Sequence, residues 1–333
     1  MRYIIVGTGA VGGAMGGRLA EAGHEVVLVA RGAQYEALRD DGLRLTTPGG
    51  TRTHRLPVAD GPEAVGLGPD DVLVLAVKTQ DSVAALDAWS PRPVRGGGTA
   101  GERLPLICAQ NGVENERLAL RRFRRVYGCC VYLPATFVEP GRVSAPCTPL
   151  TGILHLGRYP SGTDDTVHAV AADWEKAKLA APVVPDVMRW KYAKLLSNLA
   201  NAVEAVTGVP VGPDASALFD RARAEGEAVL AAAGIEATGK AEQEAVRGDR
   251  IRFGPSDGTE RGGGSSWQSL SRGTGTIETD HLNGEIVLLG RMHGIPTPVN
   301  EVLRRTANSF ARERRAAGSM TAAELTALVD AEG

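Results

Sequence analysis

Six residues near the start of the chain constrain its fold more than any others. Tyr3-Ile4-Ile5-Val6 is a short, wholly apolar run, the pattern of a strand buried on both faces. Gly7-Thr8-Gly9-Ala10-Val11-Gly12 follows directly. Ala14 to Ala22 then reads as a helix closed by Gly23, and Glu25 to Ala30 as a second apolar strand. A G-x-G-x-x-G in isolation is a weak signal. Set between a strand and a helix, with a second strand inside about 30 residues, it is a dinucleotide-binding fingerprint. Gly7 permits the tight turn, Gly9 lets a pyrophosphate approach the backbone, and Gly12 lets the helix pack closely on the strand. The helix start turns free N–H groups and its positive dipole end toward the phosphates, so the expected contacts are Gly7, Gly9, Ala10, Val11 and Gly12.

The end of the second strand selects the cofactor. A site for NADH carries Asp or Glu there to bind the ribose 2′-hydroxyl; this chain has Val29-Ala30-Arg31-Gly32. A guanidinium at Arg31 suits a 2′-phosphate, and the expectation is NADPH. Asp71 to Val77 is a third buried strand, and Lys78-Thr79-Gln80 follows it. Residues beyond the carboxyl ends of strands line the ligand crevice of an open α/β sheet, which makes Lys78 and Gln80 candidate cofactor contacts. A solvated lysine opening a helix is the plainer alternative. Leu104 to Ala109 is another strand, running into Gln110-Asn111-Gly112, where Asn111 is positioned to meet both nicotinamide ribose and substrate, or simply to make an Asn-Gly turn. Residues 91–103, rich in proline and glycine, read as a surface insertion. Further strands are expected at 125–134, 141–145 and 151–156, a helix at 163–181, and a short strand at Val183-Val184. The predicted fold is therefore α/β: an N-terminal Rossmann-type doubly wound sheet over residues 1–187, then an all-α domain over 188–333.

From Met188 the pattern is helical, with no sustained alternation. On a continuous helix at about 100° per residue, with Lys194 at zero, Lys191 falls near 60°, Asn198 near 40° and Asn201 near −20°. Two lysines and two asparagines would then share one stripe among Leu, Ala and Val. A solvent face usually mixes Glu with Lys, and asparagine gains little there. Neutral amides beside ammonium groups suit an anionic, carbonyl-bearing ligand. Residues 247–276 are rich in glycine, serine and charge and include Ser265-Ser266; they read as a mobile flap or an inert loop. A helix is expected from Ile277 to Met292 with Glu278 in its first turn, and Thr297-Pro298 should open the next.

Composition narrows the classes further. A length of 333 residues suggests two domains. With 37 basic and 39 acidic residues the net charge is −2, which argues against a nucleic-acid partner. The four cysteines lack C-x-x-C spacing, and the six histidines are scattered, so no metal site is expected. No apolar run approaches the ~18 residues of a membrane span, and no signal peptide is recognisable; a soluble, cytoplasmic protein is expected.

In chain order, then, stand G-x-G-x-x-G with Arg31, Lys78-Thr79-Gln80, Gln110-Asn111-Gly112, a Lys/Asn helix, Ser265-Ser266, and Ile277-Glu278-Thr279-Asp280-His281-Leu282-Asn283-Gly284. Over nearly its whole length the chain resembles the ketopantoate reductase (2-dehydropantoate 2-reductase) family. The resemblance implies a Rossmann domain, a helical domain, a cleft between them, and NADPH-dependent reduction of a 2-oxo acid, most specifically ketopantoate to pantoate in pantothenate biosynthesis. It assigns catalysis to Lys194 and Glu278, substrate binding to Asn198, Ser266 and Asn111, and cofactor contact to Lys78 and Asn111; Asn201, on the same stripe, is a further substrate-binding candidate. It leaves a homodimer open. Three features depart from the pattern: the second asparagine, eight residues after the lysine, is Ala202 here with Asn201 one place early; Lys191 is an additional lysine on the same face; and the insertion at 91–103 is unusual. Competing readings are a related reductase of another 2-oxo acid or an imine, and a non-catalytic NADPH-binding sensor.

Overall fold

The strand-turn-helix-strand opening forms as β1 (Arg2–Val6), α1 (Ala10–Glu21) and β2 (Glu25–Val29) in the computed structural model, which describes residues 1–254 and 263–332. The chain folds as two compact units: Met1–Lys191 with residues 239–254, and Tyr192–Thr238 with residues 263–332.

An eight-stranded sheet is the frame of the first unit. Its spatial order is Leu179–Ala180, Gly152–Arg158, Arg125–Tyr132, Pro105–Cys108, Asp71–Leu75, β1, β2, Val58–Ala59. All neighbours are parallel except Gly152–Arg158, which runs antiparallel to Arg125–Tyr132. The central strands are continuously apolar because both faces are covered. Tyr3, Ile5, Val72, Val74 and Ile107 enter one core, and Ile4, Val6, Leu73, Leu75 and Leu106 enter the other, the alternation that a pleated strand imposes.

Helix α1 lies against the first of these cores along a glycine-rich face. A Cβ on Gly16 would come within 2.7 Å of Leu28, and one on Gly13 or Gly17 within 2.8 Å of Val143 or Leu45. Leu43, Leu45 and Val143 belong to a second, four-stranded sheet ordered Gly50–His54, Leu43–Thr47, Arg142–Ser144, Thr136–Glu139. The helix starts at Ala10, four residues before the expected start, because Gly9 in extended conformation caps it directly.

Three other expectations shift. Residues 91–103 are not purely surface: Val94 and Ala100 are buried, Val94 bridges to Leu67, and a capping box between Thr99 and Glu102 opens the short helix Ala100–Arg103. The helix expected at 163–181 is Asp165–Lys176, followed by the edge strand Leu179–Ala180. The chain after Met188 is not helical throughout. Ile251–Phe253 pairs antiparallel with Cys147–Pro149, which returns residues 239–254 to the first unit.

In the second unit the described residues form α-helices and one 3₁₀ turn. The helices are the end of Val187–Asn198, then Ala200–Thr207, Pro213–Ala232, Ser265–Ser271, Asn283–His293, Pro298–Arg312 and Ala322–Asp330. The helix expected from Ile277 is instead the 3₁₀ turn Glu278–His281 followed by Asn283–His293, stopped by left-handed Gly294. Of the expected 247–276 flap or loop, residues 255–262 lie outside the described residues. Among the described residues, no helix is long and apolar enough to cross a membrane.

Candidate functional site

Parallel pairing carries the predicted cofactor residues to one edge of the sheet. Arg31, the glycine turn, Lys78 and Asn111 follow the carboxyl ends of β2, β1, Asp71–Leu75 and Pro105–Cys108, four strands adjacent in that order. At the turn Gly7 has φ +98°, and an added Cβ would press on Val77 N at 2.7 Å. A Cβ on Gly12 would lie 2.1 Å from the Gly7 carbonyl. Around Gly9 a Cβ would meet nothing within 4 Å. The turn therefore has room for a ligand at the one glycine where a pyrophosphate has to come close, and rigid backing at the other two. Ala10 and Val11 begin α1, where amide N–H groups have no partner within the helix.

Two residues that sequence reading missed brace this turn. The buried Thr8 hydroxyl donates to the Val29 carbonyl (3.0 Å), and Gln34 Nε2 donates to the Thr8 carbonyl (2.7 Å) while its Oε1 accepts from Gly141 N. Arg31 caps the helix Gly32–Asp40 with extended backbone and is exposed.

Val77 and Thr79, on either side of Lys78, are linked to the Asn111 carbonyl by a buried polar network. Gln110 Nε2 donates to Val77 O and to Ser82 Oγ (2.8 Å each), Ser82 Oγ donates to Asn115 Oδ1 (2.7 Å), and Asn115 Nδ2 donates to Thr79 Oγ1 and the Asn111 carbonyl. Ser82, Gln110 and Asn115 are thus supports of this edge, and nothing in their local sequence marks them. Gln80 is exposed on the 3₁₀ turn Thr79–Asp81.

Lys191 has a different task from that of its stripe neighbours. It is 2% exposed, ion-paired with the fully buried Glu116, and donates to the Gln110 carbonyl (3.2 Å). Burial pushes the Glu116 carboxyl above its ordinary value, against the pull of the ammonium. For Lys191 burial opposes the charge, but the adjacent carboxylate outweighs it and the pKa is raised. Burial also drives the neighbouring Cys108 and Cys129 thiols far up, so neither is a ready nucleophile.

The second unit holds the predicted catalytic residues and, apart from Asn111, the predicted substrate residues. Lys194 is half-buried, one turn beyond Lys191. Asn198 is 4% exposed and Ser266 2% exposed, and neither Asn198 Nδ2 nor Ser266 Oγ has a hydrogen-bond partner among the described residues. Such orphaned donors are costly in a folded interior and are common where a ligand completes them. The segments Val187–Asn198 and Ala200–Thr207 meet at Leu199, whose backbone stays helical (φ −60°, ψ −27°) and whose carbonyl accepts from Asn283 Nδ2 (3.3 Å). Asn201 Nδ2 lies 3.5 Å from Ser265 Oγ, and Glu204 accepts from Gly264 N (2.8 Å); both fasten the helix that carries Ser266. Ala202 is buried, and Glu278 is half-buried at the head of its 3₁₀ turn.

Residues 3–160 match the family model "Ketopantoate reductase PanE/ApbA", and residues 186–310 match its C-terminal counterpart. The chain belongs to the ketopantoate reductase family. A 2-dehydropantoate 2-reductase of Mesorhizobium japonicum is 32% identical, with 94% of this chain and 99% of that protein covered. One from Halobacterium salinarum is 29% identical over 91% of this chain and 96% of its own length. The crystal structure of a ketopantoate reductase from Ralstonia eutropha superposes with a TM-score of 0.77 at 29% identity, covering 95% of this chain and all of that one. A D-mandelate dehydrogenase shares the fold (TM-score 0.78, 20% identity; 95% and 100% covered). The family is one of oxidoreductases acting on a CH–OH group, which decides for an enzyme over a sensor.

Proposed function

We propose that the chain reduces 2-dehydropantoate to pantoate with NADPH, as a cytoplasmic enzyme of pantothenate biosynthesis, with Lys194 as proton donor. The observation that carries this reading is the division between two lysines on one helix. Lys191 is sealed in an ion pair with Glu116, whereas Lys194 is half-buried and shares its helix with the orphaned amide of Asn198. The space around Gly9 supports Gly7, Gly9, Ala10, Val11 and Gly12 as the pyrophosphate cradle, with Arg31 on the 2′-phosphate, and Lys78, Gln80 and Asn111 as further contacts. With a reduced nicotinamide bound there, the hydride for C2 of the substrate would come from the cofactor.

The remaining chemistry falls to side chains. Reduction of the ketone leaves alkoxide character at its oxygen, which the Lys194 ammonium stabilises and then protonates. Glu278 gives that ammonium a counter-charge. Asn198 Nδ2 and Ser266 Oγ, both donors without a partner among the described residues, hydrogen-bond the substrate's carboxylate or oxo group. In this role Asn201 acts through the Ser266 helix. A homodimer is part of the proposal; a solved ketopantoate reductase from Staphylococcus aureus is described as dimeric.

One observation favours a second acceptor. Ala202 is buried where the family pattern has an asparagine, and the Asn201 amide is engaged with Ser265, which suits another 2-oxo acid or an imine. Loss of NADPH absorbance, followed with ketopantoate, other 2-oxo acids and NADH side by side, tests both. NADPH-selective turnover of ketopantoate is expected. Faster turnover of another acceptor decides for the second reading, and NADPH binding without any turnover refutes both.

A further inference from the structure

Asn283, in the Glu278-to-Gly284 motif, is completely buried, and its hydrogen bonds go to Leu199, Thr279 and Asn300. Its amide is fully committed. Nδ2 donates to the Leu199 carbonyl (3.3 Å) and to Asn300 Oδ1 (3.0 Å), while Oδ1 accepts from the Thr279 hydroxyl (3.3 Å). Asn300 is equally buried and is fixed in turn, its Nδ2 donating to the Ala222 carbonyl (2.9 Å) and Glu225 Oε2 (2.8 Å). Glu225 also accepts from the Val299 and Asn300 N–H groups, so the network is rooted on the first turn of Pro298–Arg312 and on Pro213–Ala232.

The two outer partners of Asn283 are the informative ones. Leu199 directly follows Asn198, and Thr279 directly follows Glu278. A single amide therefore binds the backbone beside one candidate site residue and the side chain beside another, 84 and 4 residues away in sequence. It also sits where Val187–Asn198 and Ala200–Thr207 meet, and the Leu199 carbonyl there accepts a bond from its side chain. We infer that Asn283 is a positioning residue that holds Asn198 and Glu278 in one fixed relation. An amide suits this role because it is neutral and offers two donors and an acceptor on one rigid plane. No aliphatic residue of the same size could bridge a carbonyl and a hydroxyl. The role in catalysis rests on the activity proposed above; the role in positioning does not.

The test uses the full chain in three variants: Asn283→Ala, the milder Thr279→Val, which removes only the arm to the Glu278 turn, and Leu325→Ala, a core truncation in the terminal helix of the same unit. Amide hydrogen exchange is compared with steady-state kinetics and NADPH affinity. Asn283→Ala should raise exchange in peptides spanning 195–207 and 277–283, and Thr279→Val only in 277–283. Leu325→Ala should lower the melting temperature without raising exchange in either segment. Asn283→Ala should also lower kcat about tenfold or more with NADPH Kd within about twofold, the signature of a lost arrangement of reacting groups. Unchanged exchange in the two segments for both Asn283→Ala and Thr279→Val overturns the inference, as does a rise that Leu325→Ala reproduces. Should wild-type protein reduce no 2-oxo acid, the proposed activity falls, while the exchange comparison still decides the positioning role.

Discussion

A lysine withdrawn from water keeps its charge only beside a counter-ion, and the pair is then worth little over apolar residues of equal size until one member is removed. Lys191 and Glu116 are in that position. Lys191→Met should destabilise the protein by about 3–5 kcal/mol by stranding a buried carboxylate, and adding Glu116→Leu should recover much of that loss. Lys194→Ala should leave stability nearly unchanged and cut turnover ~10²–10⁴-fold with NADPH affinity retained. Urea unfolding and steady-state rates check both; a Lys191 variant that loses turnover while keeping its unfolding midpoint reverses the assignment. His155 gives a pH test. Its ring stacks on Trp190 at 3.7 Å with neither nitrogen hydrogen-bonded among the described residues, and burial, aided by Arg250, pulls its pKa down to about 4. The unfolded chain binds this proton near pH 6.5, so stability is full above that value and falls on acidification toward pH 4, by ~3 kcal/mol in all. In His155→Phe the urea midpoint should lose this part of its pH dependence. The residue types of the site were legible in sequence. Which lysine is buried was not, since it depends on a carboxylate 75 residues away.

At the scale of elements, α1 shows why three glycines in one motif are not equivalent. An alanine at Gly12 drives its methyl into a backbone carbonyl that cannot move aside, whereas one at Gly9 meets only open space. Gly12→Ala should lower stability by about 1–3 kcal/mol. Gly9→Ala should melt with wild-type protein and bind NADPH at least tenfold more weakly, since its methyl stands where the pyrophosphate would sit. Melting curves and NADPH titrations separate the two, and a Gly9 variant with normal affinity would remove the cradle from this turn. The strand-turn-helix pattern was readable because strand, turn and helix are neighbours in the chain. What this helix meets was not readable, because the amide that donates to the Leu199 carbonyl belongs to Asn283, 84 residues on, and Asn201 faces a serine 64 residues on.

At the scale of the molecule, ligand binding and stability are one equilibrium: NADPH at 100 times its Kd should stabilise the folded chain by about 2.7 kcal/mol. If Arg31 binds the 2′-phosphate, Arg31→Ala should lose most of the NADPH-induced rise in melting temperature and little of the smaller rise given by NADH. Equal losses would remove the 2′-phosphate from Arg31. Apolar runs, the glycine turn and the caps act over a few residues, and they were enough to announce a dinucleotide-binding sheet, a helical second half and the family to which the chain belongs. Other features join residues far apart in the chain. The Lys191–Glu116 pair, the Asn283 bridge, the bracing of Thr8 by Gln34 and the return of Ile251–Phe253 to pair with Cys147–Pro149 are of this kind. Each depends on a backbone group or charge whose partner is chosen by packing, and a linear pattern records which residues seek a partner but not which one they meet.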